Sequence, residues 1–285
     1  MSLIHVDSDR FVCEVSADAA PAIEVEPGST LKVHCRNACD NDIGPGPVRA
    51  AAPNPATGPI AVKGARPGHA VKLTILDIAP EPVGYIAAGW KGGFRAVQIS
   101  DGHAVFSPSI RIPLAPNIGV LGVAPPEGSW GTMECGPYGG NLDTNDITVG
   151  AAVCLPAFRP GGLFVLGDVH AVMADGEIGG QGLEVAADVT LRVELEPKPL
   201  ATGIYLYRND EIITIGTGET LDLAARQASR AMIAILERAG ILDEFAALKF
   251  LGLAGQLRIG QQCCRLKSAR VAVPLRYVPA LRPRA

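Results

Sequence analysis

VQISDGHAVF, residues 97–106, reads as two short β runs joined at Asp101-Gly102, the dipeptide favoured by type I′ hairpin turns because both central residues need a positive φ. The same period-two alternation recurs on either side of it. LKVHC at 31–35 sets Leu31, Val33 and Cys35 opposite Lys32 and His34, and TLRVEL at 190–195 sets Leu191, Val193 and Leu195 opposite Thr190, Arg192 and Glu194. Alternation of this kind marks strands with one buried face. Further strands are predicted at VKLTILDI (71–78), IGVLGVAP (118–125), GLFVLGDVH (162–170) and EIITIG (211–216). Helix comes late. From 221 to 239, Ala224, Ala228, Ala231, Met232, Ile235, Leu236 and Ala239 follow three-and-four spacing, with Thr220 placed to cap and Gly240 to terminate. A shorter helix is predicted at 242–251, followed by returning strands in QLRIGQQCC and VAVPLRYV. The fold class predicted is mainly β, α+β overall, with β-sandwich and barrel-like parts and a late helical hairpin. Proline clusters at 79–83 and 195–200 divide the chain into 1–80, 81–198 and 199–285.

The composition fits that reading. The 285 residues include 33 glycines and 23 prolines, about one residue in five, which demands many turns and few long helices. Hydrophobic residues make up 48% and charged residues 19%, so the chain can bury a core and is not a disordered one. A net charge of −4 supplies no electrostatic footprint for nucleic acid or an anionic membrane. The start, MSLIHVDSDRF, places Asp7, Asp9 and Arg10 where a signal peptide needs an apolar run, and VGAAVCLPAF at 149–158 is too short to span a bilayer. Seven cysteines, with C-x3-C at Cys35 and Cys39 and an adjacent pair at Cys263 and Cys264, form no disulfide framework and no paired zinc motif. They read as buried small hydrophobes in a reducing, cytoplasmic protein.

Acids and amides concentrate in two stretches. GPYGGNLDTND (136–146) carries Asn141, Asp143 and Asp146, and GDVHAVMADGEIGGQGLEV (167–185) carries Asp168, His170, Asp175, Glu177 and Glu184. Asp168 and His170 are two apart, so a regular strand projects both from one face. Asp175-Gly176 is a turn that returns Glu177 towards His170. Hard oxygen donors with one imidazole suit a divalent cation: zinc if tetrahedral, calcium or manganese if more oxygens join. The bland reading is a set of turn residues and solvated carboxylates. His5, His34, His69 and His103 stand singly and are not read as ligands. Gly139, Gly140 and the glycines at 179, 180 and 182 serve either close backbone approach to a substrate or simple bends. Cys135 is the thiol nearest this cluster in sequence, a nucleophile candidate with His170 as base.

On these residues the chain resembles the acetamidase/formamidase family. GDVHAVMADGEIGGQGLEV is similar to its Gly-Asp-x-His strand, Asp-Gly-Glu turn and following glutamate, and GGNLDT to its Gly-Gly-Asn-Met-Asp segment. NPATGPIAVKGARPGHAVKLTILDI (54–78), IPLAPNIGVLGVAP (112–125) and LRIGQQCC (257–264) extend the likeness nearly collinearly over 25–275. Three positions depart from it. Tyr138 stands where the family often has histidine, Ala174 replaces a glycine, and RNACDNDIGPG (36–46) offers only Asp40 or Asp42 for an expected acidic residue.

The resemblance implies a symmetric oligomer, a homodimer, that hydrolyses a small linear amide such as formamide or acetamide to carboxylate and ammonia. It also implies a bound divalent metal. On this basis His170, Asp143 and Asp168 are assigned as metal ligands, Glu177 and Asn141 as catalytic residues, and Glu184 as the residue that orients His170. Gly139, Gly140 and Tyr138 are assigned to substrate binding. Two rivals stand beside this reading. One is a metal-free hydrolase using Cys135. The other is a non-catalytic metal- or ligand-binding protein in which Tyr138 fills the space of a catalytic histidine.

Overall fold

The computed structural model describes residues 3–39, 54–87 and 93–283. Asp40 and Asp42 lie outside the described residues. Strand formation follows the alternation: Thr30–Cys35 and Ala187–Glu196 bury every second side chain and pair antiparallel with Leu31 opposite Leu191. The 97–106 hairpin forms as Phe94–Ser100 and His103–Ser107, with Asp101 at φ 50° and Gly102 at 71° in the turn.

Two large sheets hold the core between them. In spatial order the nine-stranded sheet runs Leu3–Val6, Thr30–Cys35, Ala187–Glu196, Ala70–Pro80, Ala152–Pro156, Tyr205–Arg208, Glu211–Gly218, Lys267–Pro274 and Gln256–Ile259. It draws strands from all three stretches delimited by the proline clusters. The seven-stranded sheet runs Cys135–Gly136, Gly139–Asn141, Asn117–Val123, Phe164–His170, Ala56–Val62 and Phe11–Val12, with Ile23–Val25 parallel to Ala56–Val62. Leu31, Val33, Leu73, Val189 and Leu191 from the first sheet meet Ile60, Ile118, Leu121, Phe164 and Leu166 from the second in one buried cluster. Strands buried on both faces lose their alternation, which is why Ala56–Val62, Asn117–Val123 and Phe164–His170 are apolar nearly throughout. Among the described residues both sheets end on edge strands and neither closes into a barrel, which corrects the barrel-like expectation.

The late helices are α1, Leu221–Arg238, and α2, Glu244–Ala254. Thr220 caps α1 through its hydroxyl to the Leu223 N–H, and Asp243 caps α2 through Ala246, so the second helix starts two residues later than its apolar run suggests. Ala228, Met232, Ile235 and Leu236 of α1 pack on Ile212, Val271 and Val273 in a second buried cluster. No helix among the described residues is long and apolar enough to cross a membrane.

Candidate active site

One end of the seven-stranded sheet carries the site. Asn117–Val123, Phe164–His170 and Gly139–Asn141 lie side by side, which brings Asn117, Asn141 and His170 together and leaves Asp143 just beyond the third strand. Phe164–His170 is not regular. Asp168 has φ 54°, and the ladder to Asn117–Val123 skips it, pairing Val120 with Gly167 and Ile118 with Val169. This bend turns the Asp168 carboxylate towards the His170 ring, with Oδ1 at 3.7 Å from Nε2. An isolated bridge from His170 to Glu184 lays the next acid beside it, with Glu184 Oε2 at 3.4 Å from the same nitrogen. The Asp175-Gly176 turn returns the chain as expected, and a bridge from Gly176 to Gln261 clamps it, placing Glu177 within the cluster.

Two triads sharing the imidazole result. Ligand atoms of Asp143, Asp168 and His170 lie within 4.8 Å of one another, as do those of His170, Glu177 and Glu184. All five residues are 6% exposed or less. Asp143, Asp168 and Glu177 all hold left-handed φ values of 40°, 54° and 44°, as does Asn54 at 48°. Such backbone costs of order 1 kcal/mol or more per residue and concentrates where side chains must be aimed. Gly119 makes the close approach possible: a Cβ there would sit 2.5 Å from Asp143 Oδ1 and 2.8 Å from Asp168 Oδ2.

Amide side chains lock the frame. Asn54 Nδ2 donates to Asp168 Oδ2 at 2.9 Å and to Asn141 Oδ1 at 3.2 Å, so the Asn141 amide is oriented with Nδ2 towards Cys264 Sγ at 3.6 Å. Asn117 Nδ2 donates to Asn145 Oδ1 at 3.0 Å, which leaves Asn117 Oδ1 to accept from His170 Nδ1 at 3.0 Å. Asn145 Nδ2 in turn donates to Asp175 Oδ1 at 2.9 Å, and Arg270 binds that same carboxylate at 2.7 Å and Asp146 at 2.5 Å. Buried Arg270 therefore braces the turn carrying Glu177 and, through the two asparagines, the His170 ring. Asp146 serves this ion network with Arg208 and Arg258 rather than the cavity.

Charge crowding shifts the whole cluster. Burial and then repulsion from Asp168 and Glu177 push Asp143 far above the usual carboxylate range, and burial with the Glu184 charge does the same to Asp168. Burial raises Glu177, and the Cys263 thiol bonded to its carboxylate opposes that rise. For His170 burial acts downwards, but Glu184, Asp168 and Asp143 outweigh it and hold the ring protonated well above its usual pKa. Asp143 Oδ1 is buried without a hydrogen-bond partner, and Glu184 Oε2 is buried against the His170 ring at 3.4 Å. Several carboxylates, one imidazole nitrogen and the orphaned Asp143 oxygen converging out of water form a donor set that fits a divalent cation.

The cluster opens into a cavity of about 220 Å³ lined by Asn54, Asn141, Asp168, His170, Glu177, Glu184 and Cys264, with Phe94 and Met133 as apolar wall. Asp143, Gly139, Gly140, Tyr138 and Cys135, all singled out in the sequence, do not line it. Gly139 and Gly140, at φ 96° and 89°, are buried because a Cβ would strike the Leu121 and Glu134 carbonyls at 2.3 and 2.2 Å, so their role is close strand contact rather than substrate contact. Tyr138 stacks on Trp130 at 4.7 Å and 11° and does not fill the cavity, which removes the premise of the non-catalytic reading. Cys135 is buried, donates to the Leu266 carbonyl at 3.6 Å, and has its pKa pushed up to about 12 by burial. It does not reach the cavity. The cysteines that do are Cys39 and Cys264; burial pushes the Cys39 thiol up to about 12, whereas the Cys263 hydrogen bond draws Cys264 down to about 7. Glu184 lies on the Nε2 side with the other acids, and Asn117 is the residue that orients His170.

Asn54, Asn117, Cys263 and Cys264 are thus the contributors that sequence reasoning missed. Asn117 carried a signal, an amide opening an otherwise apolar strand run. For the adjacent cysteines only the spacing was legible.

Comparison with known proteins gives a consistent picture. Residues 127–263 match the model of the acetamidase/formamidase family. The fold is similar to that of an acetamidase from Bacillus halodurans, with TM-score 0.93 and 33% identity over 98% of this chain and 99% of that one. A predicted acetamidase/formamidase from the thermophile Thermoanaerobacter tengcongensis gives 0.93 and 32% over 98% of both chains. An acetamidase of Mycolicibacterium smegmatis is 23% identical over 62% of this chain and 64% of that protein. The chain spans about half to two thirds of the length of the curated relatives it matches.

Proposed function

Starting from the fact that this chain belongs to the acetamidase/formamidase family, we propose that it hydrolyses a small linear amide of the formamide or acetamide type to a carboxylate and ammonia. The observation carrying this reading is the convergence of Asp168, His170, Glu177 and Glu184 on a cavity of about 220 Å³, with Asp143 clustered against Asp168 and His170; the volume suits a substrate of few atoms.

An amide resists hydrolysis because resonance deactivates its carbonyl and ammonia leaves only when protonated. The site must supply an activated water, a partner for the oxyanion and a proton. His170, Asp143 and Asp168 would hold a divalent cation, zinc in first place, with Glu184 Oε2 beside them. Such a cation polarises a carbonyl and lowers the pKa of water to near 7. Glu177 takes the water proton on a carboxylate oxygen and returns it to the departing nitrogen; burial raises its pKa, which favours taking up that proton. Asn141 Nδ2, held towards the cavity by Asn54, donates to the developing oxyanion, a contact worth roughly 3 kcal/mol in comparable sites. Asn117 keeps His170 Nδ1 occupied and Nε2 aimed at the acids. Phe94 and Met133 limit bulk water.

The protein works as a homodimer in the cytoplasm. Exposed Phe245, Leu248 and Leu253 on α2, continuing to Leu257, support an apolar contact surface, and seven cysteines with no disulfide framework support a reducing compartment. The test of function is ammonia release from formamide and acetamide by chelator-dialysed and zinc-reloaded protein, beside Glu177→Gln. Turnover restored by zinc and abolished in Glu177→Gln is expected. Equal turnover in the dialysed and reloaded protein overturns the metal assignment, and no release from either amide overturns the substrate class.

A further inference from the structure

The bent segment between Gln256–Ile259 and Lys267–Pro274 places two neighbouring thiols against the site. Cys263 Sγ and Cys264 Sγ are 3.9 Å apart. Cys263 donates to Glu177 Oε2 at 2.9 Å, and Cys264 accepts from Asn141 Nδ2 at 3.6 Å while lining the cavity. Each thiol therefore holds one of the two residues assigned to proton transfer and oxyanion binding. Both are half-buried, whereas Cys35, Cys39, Cys135 and Cys154 are buried. The Cys264 backbone is held by side chains, its N–H donating to Gln261 Oε1 and its carbonyl accepting from Lys267 Nζ, so the segment can shift without breaking a strand ladder.

We propose that Cys263 and Cys264 form a reversible modification site, at which two-electron oxidation by a peroxide closes a vicinal disulfide and disconnects Glu177 and Asn141. Cys264 Sγ attacks one peroxide oxygen and the O–O bond breaks, giving a sulfenic acid and one water. Cys263 Sγ then displaces the sulfenic oxygen as a second water and the S–S bond forms. Two S–H bonds are lost and the peroxide is reduced. Cys263 no longer has a proton for Glu177. The sulfur atoms must close from 3.9 Å to about 2.05 Å, which pulls at least one of them from its partner. Adjacent Cα atoms are about 3.8 Å apart, shorter than in most disulfides, so the bond is strained and readily reduced by a dithiol.

The effect on turnover rests on the amide-hydrolysis reading; the chemistry of the thiol pair does not. The experiment treats the purified protein with hydrogen peroxide, alkylates remaining thiols after denaturation, and maps tryptic peptides. Cleavage after Arg258 and Arg265 releases residues 259–265, which contain both cysteines and no others. This peptide is expected unalkylated and about 2 Da below the dithiol mass, reverting with dithiothreitol. Ammonia release falls in step by about tenfold or more and returns on reduction. Cys264→Ser, measured against its own untreated rate, loses less than about twofold, since it lacks the thiol that attacks the peroxide; Cys264→Ala serves if that variant does not fold. A peptide that stays a dithiol or proceeds to sulfinic acid overturns the proposal, and so does a closed disulfide with unchanged turnover. If untreated protein releases no ammonia, the amide reading fails and the peptide mass alone decides the modification site.

Discussion

Asn117 and His170 face each other across adjacent strands, and Asn117 Oδ1 accepts the Nδ1 proton of His170 at 3.0 Å. Because the Asn117 amide nitrogen is committed to Asn145, this single contact sets which imidazole nitrogen faces the four carboxylates. Asn117→Ala strands a buried N–H on His170 and the Asn145 oxygen. Stability is expected to fall by about 1–3 kcal/mol in urea unfolding, and amide turnover by about 10–100-fold. Wild-type turnover in this variant would show that the ring is held without Asn117.

The shifted acids predict an unusual pH profile. Asp143, Asp168, Glu177 and His170 all have folded pKa values above their unfolded ones. Above about pH 4 the folded state therefore holds more protons than the unfolded chain, and stability declines as pH rises through the raised values. In chelator, the urea midpoint is expected to drop between about pH 5 and pH 8. Zinc substitutes for the lost protons and flattens the slope. A chelated protein whose midpoint rises over this range contradicts the assignment.

Cys135 is tied to the Leu266 carbonyl and lies outside the cavity. Cys135→Ala should keep kcat/KM within about twofold while costing on the order of 1 kcal/mol of stability. Ammonia-release kinetics with a denaturation curve check both, and loss of turnover in a folded variant would restore Cys135 as nucleophile.

Arg270 joins Asp146 to Asp175, two residues before Glu177. Arg270→Met leaves both acids short of a partner, and breaking a buried pair in this way costs about 3–5 kcal/mol. The low end applies, since Arg208 and Arg258 still reach Asp146. Calorimetry or urea unfolding measures the loss, and a cost below about 1 kcal/mol would show that the network carries little of the stability.

Much of the fold was legible because its signals are local. The Asp101-Gly102 turn, the alternation in Thr30–Cys35 and Ala187–Glu196, and the Thr220 cap of α1 each depend on a few neighbouring residues. The acids of the site were legible for the same reason: they cluster in two short stretches. The partners of those acids were not. Asn54, Asn117 and the Cys263–Cys264 pair come from distant segments that meet only when the sheets assemble, and spacing along the chain says nothing about such meetings.

By itself, then, the sequence determined a turn-rich, mainly β chain with a late helical pair, and it nominated Asp143, Asp168, His170, Glu177 and Glu184 as one chemical set. Tertiary structure alone decided how that set is arranged. Left-handed backbone at Asp143, Asp168 and Glu177 aims the carboxylates inward, Asn117 rather than Glu184 holds the imidazole, and Cys264 rather than Cys135 faces the cavity. The physical reason is that direction and burial of a side chain are set by strands paired across the whole chain, whereas residue type and local period are written in neighbours.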